Sequence, residues 1–261
     1  MKNRVLLNIV LILSMIALAV FLWFKPASEA HPEQSISTLS KQAVTSIRIE
    51  RPQQANIHLL KSDQQWTMLK PFPHAIRQEK AEQILGFVGA STQVQYSALD
   101  VNLAEFELDP SKVLSLQFND DAKIQFGMIH PVSYERYILY GKVMGLLKEA
   151  VYGVLSSEVA SFLDGSLVPL GRTLVKIDLP APYDSTQTHI DIWKTAKAIE
   201  VLSWESENEP SLGKIQLYLD KNETLSYDIL NSRDEWFLGN SKLKVKYQIP
   251  EDWVERLLPK S

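Results

Sequence analysis

Val44–Pro71 reads VTSIRIERPQQANIHLLKSDQQWTMLKP, and its punctuation sets the architecture of the domain. Over Val44–Glu50, Val44, Ser46, Arg48 and Glu50 alternate with Thr45, Ile47 and Ile49, the period-2 pattern of a half-buried strand. A second strand, Asn56–Lys61, runs into the polar turn Ser62–Gln65, and Trp66–Leu69 returns beside it. Pro71 and Pro73 stop the sheet, because proline has no N–H to give a ladder. Helix follows across Arg77–Val88, with Ala81, Ile84, Leu85 and Val88 spaced to share one face. The unit is strand, hairpin, helix.

That unit recurs. Displaced by 170 positions, residues 44–89 lie on 214–259 without a gap. Ile47 and Ile49 meet Leu217 and Leu219, Leu59 and Leu60 meet Ile229 and Leu230, and the turn Ser62–Gln65 meets Ser232–Glu235. Trp66 falls on Trp236, Met68 on Leu238, and Ile84, Phe87 and Val88 on Val254, Leu257 and Leu258. The match predicts a duplication with Trp66 and Trp236 as structural core plugs; chance similarity of two such units is the competing explanation. Between the copies, Val113–Phe118 and Lys123–Gly127 read as a hairpin across Asn119-Asp120-Asp121. Gln93–Tyr96, Glu135–Tyr140, Ala150–Leu155, Thr173–Asp178, His189–Lys194 and Ile199–Trp204 read as further strands. Ser156 reads as the cap of a short helix over Ser157–Leu163. The Gly165–Gly171 stretch is the candidate boundary between a first lobe, 42–165, and a second, 172–261. The expected class is α+β: antiparallel hairpins with packed helices, in two related lobes behind a single transmembrane helix.

That helix is Val5–Phe24, VLLNIVLILSMIALAVFLWF, twenty residues without charge, Pro or Gly. At about 1.5 Å per residue such a run is roughly 30 Å long, the thickness of a bilayer's hydrocarbon core. Lys2 and Arg4 precede it and only Lys25 follows before Glu29, which places the N-terminus in the cytoplasm and the main domain outside. A cleaved signal ending near Ser28-Glu29-Ala30 is the rival reading, although cleaved signals usually carry an apolar core of about 7–15 residues. Residues 25–41, with Pro26, Pro32 and a Ser/Glu/Gln/Thr-rich run, read as a linker. The domains are thus a signal anchor (1–24), a linker (25–41) and the two lobes.

Lys2, Arg4 and Lys25 account for three of the 27 basic residues, so the remainder stands at 24 against 31 acids, a net charge of −7. A domain of that sign with no basic block repels phosphate backbones, which argues against a nucleic-acid partner. The chain contains no cysteine, which excludes disulfides, thiolate catalysis, cysteine zinc sites and a lipid-modified cysteine.

No catalytic constellation stands out. His31, His58, His74, His130 and His189 are not spaced as ligands of one another, and three adjoin proline; they read as turn and surface histidines, and no metal site is expected. Ten glycines form no phosphate-cradling loop, and there is no nucleophile elbow, so no cofactor is expected. Asp120-Asp121, Glu205–Glu209 and Asp234-Glu235 read as solvated turns. The aromatic strand around Tyr134–Tyr140 is more suggestive. Alternation puts Tyr134, Arg136 and Ile138 on one side and Tyr137 and Leu139 on the other, and aromatics with Arg are typical interface anchors. Tyr134, Arg136 and Ile138 are therefore the candidate binding residues, with sheet packing as the plainer alternative.

Several of these segments together resemble a known family. They are Val44–Arg51, Leu59-Leu60-Lys61 with Trp66–Pro71, Ala75 opening a helix, Glu107-Leu108-Asp109-Pro110, Tyr134–Tyr140 and Val151-Tyr152. The pattern resembles a periplasmic domain of unknown function carried by membrane-anchored bacterial envelope proteins and by accessory subunits of gliding-motility-type ABC transporters. The resemblance runs across residues 44–180 and thins beyond. It implies an inner-membrane protein with a periplasmic domain and a binding or assembly role, and it offers no catalytic residue to carry over. The expected function is non-catalytic: a single-pass envelope protein, held in the membrane by Val5–Phe24, whose outer domain binds or supports a membrane-associated protein. An envelope hydrolase built from scattered acids and a purely structural spacer are the alternatives.

Overall fold

The structure, a computed structural model, describes residues 10–18, 20, 34–37, 39–92, 94–109, 111–121, 123–148, 150–205 and 209–260. The chain divides into two units, residues 1–34 and 35–261. In the first, residues 10–18 are helical, and Val10, Leu11, Ile12, Leu13, Met15, Ile16 and Leu18 are all exposed. Ser14 donates its hydroxyl back to the Leu11 carbonyl at 2.8 Å, so the one polar side chain of this segment is satisfied within it. No helix among the described residues is long and apolar enough to cross a membrane. Residues 5–9, 19 and 21–24 of the expected anchor, and 25–33 and 38 of the expected linker, lie outside the described residues.

The second unit is mostly β with few helices: the antiparallel hairpins expected are present, and helix contributes less than the α+β class implied. Nine strands form one sheet: β1 (Ser46–Glu50), β2 (Ile57–Ser62), β3 (Gln65–Lys70), β4 (His74–Ala75), β5 (Val94–Ser97), β6 (Leu114–Phe118), β7 (Ile124–Ile129), β8 (Arg136–Tyr140) and β9 (Val143–Leu147). Their order is β4-β3-β2-β1-β6-β7-β8-β9-β5, and every pairing is antiparallel. Six more form the second sheet: β10 (Leu174–Asp178), β11 (Glu200–Ser203), β12 (Lys214–Leu219), β13 (Thr224–Ser232), β14 (Glu235–Asn240) and β15 (Val245–Ile249). That order is β10-β12-β13-β14-β15-β11, again antiparallel throughout. Among the described residues of this unit, four short α-helices accompany the sheets: α1 (Gln78–Leu85), α2 (Tyr152–Leu155), α3 (Ile190–Thr195) and α4 (Glu251–Leu257).

One continuous buried cluster joins both sheets, from Ile47, Leu59, Trp66 and Met68 in the first to Leu217, Ile229, Leu238 and Tyr247 in the second. The opposite faces carry small satellites. Leu108, Val113, Leu139 and Met144 lie under the 3-10 turn Leu103–Phe106, and Trp204 packs with Leu230 and Phe237. Alternation explains the division, since Ile138 enters the main core and its neighbour Leu139 the satellite.

The two expected copies agree at the hairpin and part at the first strand. Asp63 and Gln64 both take positive φ, as do Arg233 and Asp234, the mirror-image turn that suits strand twist. Lys61 pairs with Trp66 as Asn231 pairs with Trp236, so the 170-residue displacement holds there. In the first strand it fails, because Ile47 faces Leu59 whereas Leu217 faces Leu225, not Ile229. The slip is of an even number of residues, so inward side chains stay inward, which is why hydrophobic spacing alone could not reveal it. The helix also starts later in the second copy, at Glu251, because β15 occupies the preceding residues. Trp66 is buried and plugs the core as expected, but Trp236 is only half-buried, against the edge of the same core.

Other segments depart from expectation. Ala150–Leu155 is not a strand: β9 ends at Leu147 and α2 begins at Tyr152. His189–Lys194 is the start of helix α3, with Trp193 completely buried and its indole N–H on the Thr188 hydroxyl at 3.0 Å. The residues expected to form the end of the linker belong to the domain. Ile36 is buried and its N–H donates to Ala90 O at 3.0 Å, while the Ser37 hydroxyl donates to Asp121 at 2.8 Å.

Candidate functional site

The Gly165–Gly171 stretch, expected as a domain boundary, is the seam on which both sheets close. Leu163, Leu167 and Val168 are buried in the shared core. Ala198 N donates to Gly165 O at 2.8 Å, and a Cβ at Gly165 would stand 2.7 Å from Ala198 O, so only glycine lets the chains pass this closely. From the second sheet, the Tyr227 hydroxyl donates to Leu167 O at 2.7 Å. Beside the seam, between β3–β4 of the first sheet and β13–β15 of the second, opens a cleft of about 580 Å³. That is the size range of pockets that hold small organic ligands. Its walls are apolar (Val168, Pro169, Leu225 and Leu243), and Leu69 and Leu170 stand exposed at its edge.

A histidine–tyrosine pair lies in the cleft. His74 Nδ1 is 2.6 Å from Ala75 O, an atom that can only accept, so Nδ1 carries the proton and Nε2 is a bare acceptor. Tyr247 Oη lies 3.3 Å from Nε2 and donates to it. Burial lowers the His74 pKa, opposed by the Ala75 carbonyl and the Asp164 charge, so the ring is held neutral. Burial raises the Tyr247 pKa, and the same Asp164 charge adds to that. Tyr227 meets the Tyr247 ring edge-on at 5.7 Å.

Asp164, Arg172 and Glu223 in the cleft lining are paired, and Lys242 also lines it. Asp164 accepts from the Ser166 hydroxyl, from Ser166 N at 2.9 Å and from Lys197 Nζ at 3.3 Å. Burial pushes its carboxyl up, but these donors pull it down further, to below its ordinary value. Arg172 donates to Asp220 O at 2.8 Å and pairs with Glu223 at 2.8 Å. Asn240 is different. It is 2% exposed, shares the inner face of β14 with Leu238, and accepts from Leu243 N at 3.1 Å through Oδ1. That bond assigns the amide oxygen to Leu243 N, and the residue lines the cleft.

The expected binding residues do not form one exposed face. Tyr134 precedes β8 in a left-handed turn, φ 59°, and is 82% exposed. Arg136 opens the strand half-buried; it donates to Gly127 O at 2.6 Å, and its guanidinium lies 3.7 Å from the Tyr152 ring centroid. Ile138 is completely buried. The turn at Tyr134 breaks the alternation on which the shared face was predicated, and the core takes the strand's inward side. Trp66 and Trp236 lie on the core face and line no common site.

His130 is the turn histidine expected, accepting from Ser133 N at 3.0 Å, and His58 contacts the Ser46 hydroxyl at 3.0 Å. His74 was not legible as a site residue, since its Pro73 neighbour speaks only for a turn. His31 lies outside the described residues. Asp120 pairs with Arg48 at 3.2 Å, and Glu209 with Lys246 at 2.5 Å, so these expected turn acids make local ion pairs. Among the described residues no group of three or more His, Asp or Glu side chains is placed to hold a metal. No family model matches the chain, and neither a curated protein nor a solved structure matches it.

Proposed function

We propose that this chain is a membrane-tethered, non-catalytic binding protein whose outer domain engages another membrane component at the inter-sheet cleft. The observation that carries the reading is the cleft itself: apolar walls, and carboxylates engaged in hydrogen bonds and ion pairs. A carboxylate so engaged is a poor general acid or base, whereas apolar walls are a binding feature. The exposed apolar residues of helix 10–18 support tethering, since a helix apolar all round needs surroundings of its own kind. The positive-inside bias of Lys2 and Arg4 supports a periplasmic domain on the inner membrane, and the family resemblance supports an accessory role beside a transporter. The matching turns and hairpin register support two related lobes arising by duplication.

A hydrolytic reading has one foothold, the neutral His74 Nε2 facing the Tyr247 hydroxyl. Turnover of an envelope substrate that is lost in His74→Ala would establish it. The binding reading is tested by photocrosslinking in native membranes, since the chain has no cysteine of its own to interfere. A benzophenone on Leu170→Cys, at the cleft edge, should capture a membrane protein that the same probe on Leu99→Cys does not. Identical products from both positions, or none from either, would refute it.

A further inference from the structure

We infer that a groove beside helix α4 binds a basic segment of a protein partner, seating arginine side chains between aromatic rings and unpaired carboxylates. No residue lines both this groove and the inter-sheet cleft, so the inference stands apart from the cleft reading.

The groove, about 950 Å³, is lined by α4, by Trp236 of β14 and by the Tyr183 loop, which Asp184 N ties to Pro259 O at 2.9 Å. Val254 and Leu258 give it apolar lining. Charge sets the ligand it suits. Glu251, Asp252 and Glu255 line it against a single cation, Lys260, a net charge of −2. Among the described residues none of these four makes an ion pair. Glu251 and Asp252 stand in the first turn of α4, where acids suit the helix end. Glu255 has no such reason: it stands in the last turn, where a negative charge is disfavoured. The helix's own cation, Arg256, lies over the Trp253 ring at 4.4 Å and does not line the groove.

The rings give a second, independent indication. In the first hairpin Lys61 pairs with Trp66 across the strands and holds its ammonium 5.9 Å from the ring centroid. At the matching place in the second hairpin Asn231 pairs with Trp236, which is half-buried. Among the described residues no Lys or Arg lies over the Trp236 or Tyr183 ring. The face of a tryptophan attracts a cation, so the copy that carries none of its own can take one from a ligand. Arginine meets both demands, because its planar guanidinium stacks on a ring while its edge donates to carboxylate oxygens. Glu251 and Glu255, four residues apart, share one face of α4, an arrangement that suits two cations on one segment better than a lone ammonium.

The test uses the full chain in phosphatidylcholine nanodiscs, with empty discs subtracted, and calorimetric titration with blocked hexapeptides that carry two arginines, two lysines or two citrullines. The arginine peptide should bind at least about 5-fold more tightly than the uncharged citrulline peptide, and more tightly than the lysine peptide. Glu251→Gln combined with Glu255→Gln should weaken the arginine peptide at least about 5-fold, and neither carboxylate has an ion pair to lose on substitution. Glu79→Gln combined with Glu82→Gln makes the same charge change on exposed positions of α1 and should leave affinity within about 2-fold of the parent's. No binding of the arginine peptide, equal affinity for arginine and citrulline peptides, or equal loss in the two double variants would overturn the inference. Lysine binding as tightly as arginine would overturn the stacking on Trp236. Blocked single arginine binding as tightly as the peptide would overturn the partner segment, assigning the groove to a free small cation.

Discussion

Tyr227→Phe removes one oxygen from the seam and nothing else. The ring stays, 2% exposed and edge-on to Tyr247 at 5.7 Å, so packing is conserved. What goes is the 2.7 Å hydrogen bond to Leu167 O, which ties the second sheet to the buried segment between the sheets. A typical buried hydrogen bond contributes about 0.5–1.5 kcal/mol net, but an acceptor left without a donor in a closed core costs about 1–3 kcal/mol. Leu167 is fully buried, so the upper range applies and a loss of about 2 kcal/mol is expected. For a unit of this size that lowers Tm by roughly 4–8 °C. Urea titration should show a lower midpoint at constant slope, because the surface exposed on unfolding is unchanged. Tyr247→Phe is the internal comparison: its bond to His74 is long, 3.3 Å, and its loss should cost under about 1 kcal/mol. Alkaline pH gives a second readout. Burial raises the Tyr227 pKa well above the ordinary tyrosine value, so the folded state keeps a proton that the unfolded chain releases near pH 10. This stability is present below about pH 10 and is lost as pH rises beyond it, more steeply in the parent than in Tyr227→Phe. A variant within about 0.5 kcal/mol of the parent, with the same alkaline profile, would refute the seam as a place where the sheets are pinned.

Trp66→Ala should cost about 3–5 kcal/mol and Trp236→Ala about half as much, since the first ring is 1% exposed and the second half-buried; equal losses in chemical denaturation would restore the equivalence expected from sequence. Gly165→Ala should destabilise by about 1–3 kcal/mol, because its Cβ would sit 2.7 Å from backbone Ala198 O, which cannot yield as a side chain does; an unchanged Tm would contradict that approach. His74 is held neutral by burial, so its contribution is complete above the unfolded pKa near 6.5 and is lost as pH falls through the folded one; His74→Asn should flatten the acid limb of the stability profile below about pH 6.5. His58, whose pKa burial also lowers, contributes with the same sign, so the comparison is best made in a His58→Asn background. Tyr134→Ala should leave stability in urea titration within about 0.5 kcal/mol of the parent's, since 82% of that side chain is in solvent.

What was legible in the chain was short-range. Alternation over Ile47 and Ile49, the polar turn before Trp66 and its partner before Trp236 locate hairpins that are present at those registers. Helix periodicity placed α1 within a few residues, at Gln78–Leu85. Long-range pairing was not legible. The four-residue slip at Leu217 preserves the inward set of side chains, and hydrophobic spacing is blind to an even slip. Trp193 was hidden because Ile190, Ile192 and Lys194 alternate as a strand would, while His189 to Ala196 are hydrogen-bonded as a helix.

The candidate site escaped for a related reason. Glycine and Pro169 at the seam have the composition of a loop, and loops lie on the surface unless their backbone groups find partners inside. Here they find them: Gly165 O accepts from Ala198 N, and Leu167 O from the Tyr227 hydroxyl. A boundary in composition is therefore the inside of the molecule, and the residues around it inherit a shielded setting that their neighbours in sequence do not predict. His74 is neutral because it is there, and Asn240 lines the cleft because the second sheet carries it to that place. Each comes from a different stretch, one at the edge strand of the first sheet, the other at the end of a hairpin strand of the second. No motif can join positions 74, 164 and 240, because only the closing of two sheets on one buried segment does so. A binding cleft at such a seam depends on the seam's stability, which makes the Tyr227–Leu167 bond a support of the site as well as of the fold.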